Sequence, residues 1–215
     1  MKAILCKEYG PAEKLVIEDV PSPEVKGRGV KVRVKAAGLN FPDTLIIENK
    51  YQLKPSLPFS PGGEMAGEVI EVGDKVTRFK VGDRVAGLTG YGAFAEEVIV
   101  PEQNLLPVPD TMSDEKAAAF TMVYGTSYYA LKQRGNLQPG ETLLVLGASG
   151  GVGLATVELG KAMGAKVIAA ASSAEKLAVA KEAGADELIN YTEEPLKDAV
   201  KKLTHSKGVD VIYDP

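Results

Sequence analysis

The residues best placed to do chemistry lie at one turn. Leu143 to Gly153 reads LLVLGASGGVG, an apolar run that passes through Gly147, Gly150 and Gly153 into a helix pattern. Glycine lets the backbone bend sharply there and lets a pyrophosphate approach amides that no Cβ shields. A helix N-terminus beyond the turn supplies unpaired N–H groups and a partial positive charge. Glycines alone mark many strand-to-helix turns, so the elements around them carry the inference. Leu143 to Leu146 suits a strand buried on both faces, and Val152, Ala155, Leu159 and Ala162 recur at the spacing of one helix stripe. Gly164 stands where that helix should stop, and Ala165 to Ala171 (AKVIAAA) reads as a second buried strand. The result is the βαβ unit that a dinucleotide motif requires.

The end of the second strand selects the dinucleotide. An NAD site places an Asp or Glu there, about 20 residues past the glycines, to accept from the ribose 2′-hydroxyl. This chain reads Ala171, Ser172, Ser173, Ala174, Glu175, Lys176, with no acid ending the strand. Two hydroxyls and the Lys176 ammonium suit a 2′-phosphate that a carboxylate would repel, so the expected cofactor is NADPH. The same residues also read structurally, because Ser172 with Glu175 three positions later makes a capping box for the next helix. Both readings hold together, with Glu175 structural.

At 215 residues the chain has room for two ordinary domains. A net charge of -4 and a pI near 5.3 leave no broad positive field for nucleic acid or an anionic membrane. The single Cys6 excludes an intramolecular disulfide and a thiolate-rich metal site. No apolar run is long enough to span a bilayer, and the start MKAILCKEYG lacks the core of a secretory signal, so a cytoplasmic protein is expected.

Short β-rich pieces divided by Gly and Pro fill residues 1 to about 120. Gly29 to Lys35 alternates apolar with polar, and Glu68 to Val72, Asp83 to Ala86 and Glu97 to Val100 supply further strands. Turns at Gly73-Asp74 and Gly82-Asp83 suit an antiparallel barrel or meander. From Asp114 a helical pattern runs toward Tyr128 and Leu131, placing the domain junction near residue 125. Beyond Ala171 the chain alternates helix and strand, with strands at Glu187 to Asn190 and Val209 to Tyr213 and a helix at Leu196 to Leu203. It stops at Pro215, one half of the usual two-part dinucleotide sheet, and so reads as a fragment.

Several motifs together resemble the zinc-free quinone oxidoreductases of the medium-chain dehydrogenase/reductase superfamily, relatives of ζ-crystallin. They are AAGLNFPDTLI (Ala36 to Ile46), PGGEMAGEVIEVG (Pro61 to Gly73), VGDRV (Val81 to Val85), GASGGVG (Gly147 to Gly153) and AGADELINY (Ala183 to Tyr191). The family's signature usually has Gln where this chain has Glu158, a departure expected to leave phosphate binding intact. The resemblance implies an α/β plus β fold. A GroES-like β-barrel domain at residues 1 to 124 is followed by a truncated Rossmann NADPH-binding domain at residues 125 to 215. Zinc-dependent members place Cys and His ligands in the segments matching Leu39-Asn40 and Gly63-Glu64. Asn40 and Gly63 stand here instead, so no metal site is expected.

By the same resemblance, Asn40, Phe41, Asp43 and Tyr51 line the nicotinamide end of a cleft from the barrel side. Thr126 and Tyr129 approach it from the helix between the domains. Ser149, Gly150, Gly151 and Val152 meet the pyrophosphate, Ser172 with Lys176 the 2′-phosphate, and Tyr191 stacks near the adenosine. Tyr51 either donates a hydrogen bond or proton to the accepting oxygen or covers the cleft. Asn40 and Asp43 either orient the reactants or hold a turn at Pro42. Tyr124, Tyr128 and Tyr129 are expected to include core residues. The implied activity is NADPH-dependent reduction of a small quinone in a protein that is homodimeric at full length. The alternatives are reduction of an activated C=C bond in an enone or enoyl thioester, and NADPH binding without catalysis.

Overall fold

All 215 residues are described by a computed structural model, and their contacts divide the chain into two units, Met1–Met122 and Val123–Pro215. In unit 1, β1 (Lys2–Leu5) pairs antiparallel with β2 (Val16–Asp19) as a ribbon that the sequence pattern did not announce. There follow β3 (Gly29–Gly38), α1 (Phe41–Ile47), β4 (Glu64–Val72), β5 (Arg84–Leu88), β6 (Glu97–Pro101), β7 (Leu105–Pro107) and α2 (Asp114–Ala118). The alternation in β3 turns Val30 and Val32 inward, where Met65, Val69, Val85, Val98, Val100 and Leu105 complete an apolar core.

Five of these strands form an antiparallel sheet in the order β6-β3-β4-β5-β7. These strands do not close into a barrel. Closure needs every strand paired on both sides, whereas β6 and β7 each pair on one side and the β1–β2 ribbon is a separate sheet. Register shifts at Lys31/Val32 and Val34/Ala36 bulge β3 against β4 and bend it. Around Pro42, where a turn was one of two readings, the chain forms α1, which accepts proline in its first turn because the N–H removed there has no intrahelical acceptor.

The single helix expected from Asp114 toward Leu131 is three pieces. Ala119 leaves helical geometry (φ -102, ψ 12) after α2, α3 spans Thr121–Tyr128, and a π-helical turn covers Tyr129–Arg134. Its tyrosines do not enter the core, for Tyr128 and Tyr129 are about half exposed.

Unit 2 continues with β8 (Thr142–Val145), α4 (Gly151–Ala162), β9 (Lys166–Ala171), α5 (Ala174–Glu182), β10 (Glu187–Asn190), α6 (Leu196–Leu203) and β11 (Val211–Tyr213). The four strands are parallel in the order β10-β9-β8-β11, the first half of a doubly wound sheet. Leu143 and Val145 point into one apolar cluster and Leu144 into another with Ile168 and Ala170, so both faces are covered.

The buried stripe of α4 is Gly153, Thr156, Val157 and Gly160 together with Ala155, while Ala162 is exposed. Of the expected stripe, Ala155 is buried and Val152 and Leu159 pack against the same core, but glycines, not large apolar residues, sit where this helix comes nearest the sheet. A Cβ on Gly160 would stand 2.7 Å from Leu143 Cδ2. No helix is long and apolar enough to cross a membrane.

Candidate functional site

In unit 2 the turn after β8 is held by its own backbone. The Leu146 N–H donates to Tyr213 O at 2.9 Å, Ala148 N–H to Ala170 O at 3.1 Å and Gly150 N–H to Gly147 O at 3.0 Å. Gly147 has φ +56, the left-handed region that glycine enters without strain. A Cβ on Gly153 would strike the Gly147 carbonyl oxygen, so only hydrogen lets the helix close on the loop. Helix α4 starts at an N-cap glycine, Gly150, with no side-chain cap, and Leu154 N–H makes the bond back to Gly150 O at 2.8 Å. The N–H groups of Gly151, Val152 and Gly153 precede any intrahelical acceptor. Gly150 and Gly151 are exposed and Ser149 and Val152 half-buried, so the loop presents bare amides. Buried Ser127 donates to Val152 O at 3.0 Å and ties α3 to this first turn.

At the end of β9 the capping residue is Ser173, not Ser172. The Ser173 Oγ accepts from the Lys176 N–H at 3.3 Å, because β9 runs through Ala171 and leaves one further residue before α5. Ser172 is thereby released from capping, and its Oγ accepts from Lys176 Nζ at 3.0 Å. A hydroxyl and an ammonium stand together on the surface with no carboxylate ending the strand. The adenosine candidate Tyr191 and the nicotinamide-end candidates Thr126 and Tyr129 are exposed, Tyr191 donating its N–H to Ala171 O at 3.2 Å. An uncapped helix start, a glycine turn that a Cβ would fill and a Ser–Lys pair form a donor set that fits a phosphorylated dinucleotide.

In unit 1, Asn40 caps α1, and its N–H donates to Asp43 Oδ2 at 2.8 Å. Asp43 is 3% exposed and also accepts from the backbone N–H groups of Gly62 and Gly63. Its oxygens serve its own chain, and burial pushes its carboxyl up from the ordinary range. Phe41, the neighbour of Asn40, is 74% exposed. Tyr51 is half-buried, packed on the cluster of Cys6, Ile46, Ile47 and Phe59.

Sequence reasoning passed over Glu64. It is 2% exposed at the start of β4, with Oε1 accepting from Asn40 Nδ2 and Oε2 from the Met122 N–H, both at 2.8 Å. Burial pushes its carboxyl up, the hydrogen bonds from Asn40 and Met122 pull it down, and nearby Asp43 adds to the rise. The signal was a lone acid among the small and apolar residues of PGGEMAG. No three or more His, Cys, Asp or Glu side chains gather as a metal site.

Residues 26–110 match the alcohol dehydrogenase GroES-like domain, and residues 151–215 match the zinc-binding dehydrogenase family. The chain is 48% identical to "Quinone oxidoreductase-like protein 2 homolog" of Nematostella vectensis over 99% of its own length and 58% of that protein. Against the crystal structure of the quinone oxidoreductase of Pseudomonas syringae pv. Tomato it has a TM-score of 0.94 at 43% identity, covering 99% of this chain and 66% of that one. The chain belongs to the quinone oxidoreductase (ζ-crystallin-like) family of medium-chain dehydrogenases/reductases. Within that family it also matches Escherichia coli quinone oxidoreductase, solved in complex with NADPH, at 36% identity and a TM-score of 0.93, covering 100% of this chain and 66% of that one. The chain spans about three fifths of the length of the curated relatives it matches most strongly.

Proposed function

We propose that this protein is an NADPH-dependent quinone reductase that works without a metal. The observation that carries the cofactor choice is the end of β9, where Ser172 and Lys176 meet at 3.0 Å with no carboxylate to repel a 2′-phosphate. An E. coli relative solved with NADPH and several relatives named quinone oxidoreductases support the reading. Asn40 and Gly63, at the positions where zinc-dependent members hold Cys and His, support metal independence.

NADPH, when bound, supplies a hydride. The amides of Gly151, Val152 and Gly153 and the α4 N-terminus hold the pyrophosphate, assisted by Ser149 and Gly150, while Ser172 and Lys176 hold the 2′-phosphate. Tyr191 covers the adenosine, and Thr126 and Tyr129 contact the nicotinamide half. Asn40, with Phe41 beside it, orients the reactants, and Asp43 holds Asn40 in place. Tyr51 offers a hydrogen bond to the accepting oxygen. A quinone that gains a hydride is a phenolate that takes its proton readily from water, so placement contributes more than acid catalysis.

The test is steady-state oxidation of NADPH by benzoquinone and naphthoquinone before and after exhaustive chelation. Turnover unchanged by chelation is expected. No quinone-dependent oxidation, or its loss on chelation, overturns the proposal.

A further inference from the structure

Two acidic side chains of unit 1 are buried without an ion pair, and the functional reading uses neither of them directly. Asp43 is absorbed by three backbone N–H groups. Glu64 is different, because one of its two acceptors is spent on a side chain that the functional reading places in the site. Its Oε1 takes the Asn40 Nδ2 hydrogen and its Oε2 the Met122 N–H, each at 2.8 Å. An ionised carboxylate accepts and does not donate, so the asparagine meeting it must turn its amide nitrogen inward. The carbonyl Oδ1 is then turned away from Glu64 to the start of α1, where it faces the Asp43 N–H in the capping box and keeps a second lone pair. An asparagine amide in water is free to present either end, and here the buried charge decides. The backbone bond to Met122 holds Glu64 itself, and the Glu64 side chain packs so closely under Gly38 that a Cβ there would overlap it.

We propose that Glu64 is a positioning residue that locks the Asn40 amide nitrogen inward, so that this half-buried side chain offers a ligand its carbonyl oxygen. The inference rests on the reading of Asn40 as a site residue. The ligand group it suits is a hydrogen-bond donor, such as a carboxamide N–H or a hydroxyl, and a bare carbonyl is disfavoured at that edge. Burial of the Glu64 carboxylate makes the lock strong, since a flipped amide would set its carbonyl oxygen against Oε1 and the buried carboxylate would find no water in exchange for the lost donor.

Substitution can reverse the lock and then restore it. In Glu64→Gln the new side chain has one acceptor and one donor. With its oxygen on the Met122 N–H, its amide nitrogen faces Nδ2 and the Asn40 amide must rotate. Asn40→Asp sets two carboxylates face to face. The double variant Asn40→Asp/Glu64→Gln has the donor on residue 64 and the acceptor on residue 40, with a second oxygen again turned away. In the ligand-free protein the Asn40 side-chain NH2 resonances are expected to lie apart from free amide values and to move toward them in Glu64→Gln. Each single variant should lower kcat by about tenfold, the worth of one hydrogen bond to a charged group, and the double variant should recover to within about threefold of the parent. Glu64→Asp keeps the acceptor-only charge and should retain the parent ratio of kcat to KM even where its Tm falls.

Additive losses in the double variant, or Asn40 resonances indifferent to Glu64→Gln, overturn the positioning role. If Asn40→Ala keeps full kcat/KM while the resonances still respond, the site reading fails instead, and the ligand-facing part of the proposal fails with it. Should Glu64→Gln alone not fold, restored folding without restored kcat in the double variant marks Glu64 as structural and overturns the proposal.

Discussion

Glu158 stands where the family usually has Gln, and the structure gives that departure a partner. The Tyr124 hydroxyl donates a hydrogen bond to Glu158 Oε2. That bond, with burial and the negative charge behind it, pushes the Tyr124 phenol up to about 12. Because the folded-state value is raised, the contribution to stability is complete below the ordinary value near 10 and is lost as pH rises through about 12. Spectrophotometric titration should show one late-ionising tyrosine, which Glu158→Gln returns toward the others; an unchanged titration curve refutes the assignment. Residue-scale chemistry was unevenly legible. Asn40 and Tyr51 could be singled out through motif resemblance, whereas Glu64 showed only as an acid among small residues, because its partner lies 24 positions earlier and its burial is a property of the fold.

Among elements, the start of α5 separates structure from recognition most cleanly. Ser173 caps the helix and Ser172 does not, so Ser173→Ala should cost about 1 kcal/mol in denaturant unfolding, as N-cap losses do. Ser172→Ala should leave that midpoint nearly unmoved and weaken NADPH binding several-fold by fluorescence titration, while NADH affinity stays put. Equal effects of the two substitutions on stability would contradict the assignment. Helix α4 makes the complementary case, since Gly153→Ala places a methyl against the Gly147 carbonyl and Gly160→Val crowds Leu143 and Val167. Each should destabilise unit 2 by about 1–3 kcal/mol, measured by its unfolding midpoint. The sequence pattern located both strands and both ends of this βαβ unit to within a residue or two. It found Val152, Ala155 and Leu159 on the packed face of α4 but not Gly153 and Gly160, because hydrophobic periodicity weighs side chains and the nearest approach here is made by residues without one.

At the scale of the molecule, alternation of helix and strand after residue 142 announced a parallel half-sheet, and β10-β9-β8-β11 is that sheet. The barrel or meander expected for unit 1 was less legible, since local turn and strand signals do not say which edges find partners. Five strands end in the unpaired edges β6 and β7. The short ribbon of β1 and β2 and helix α1 were hidden for a related reason, each being too brief to show a period. Replacing Tyr51 with Phe tests the chemistry assigned to the whole assembly. Quinone reduction should fall less than threefold, because water supplies the proton, and a loss of a hundredfold or more would favour alkene reduction instead.

The most direct measurement of the central claim is kcat/KM for NADPH and for NADH with one fixed quinone, in the parent protein and in Lys176→Ala. The account predicts quinone-dependent turnover that favours NADPH at least tenfold, with the preference collapsing in Lys176→Ala through loss of one charged hydrogen bond. Turnover with NADH equal to or better than with NADPH, or a preference indifferent to Lys176, would contradict it.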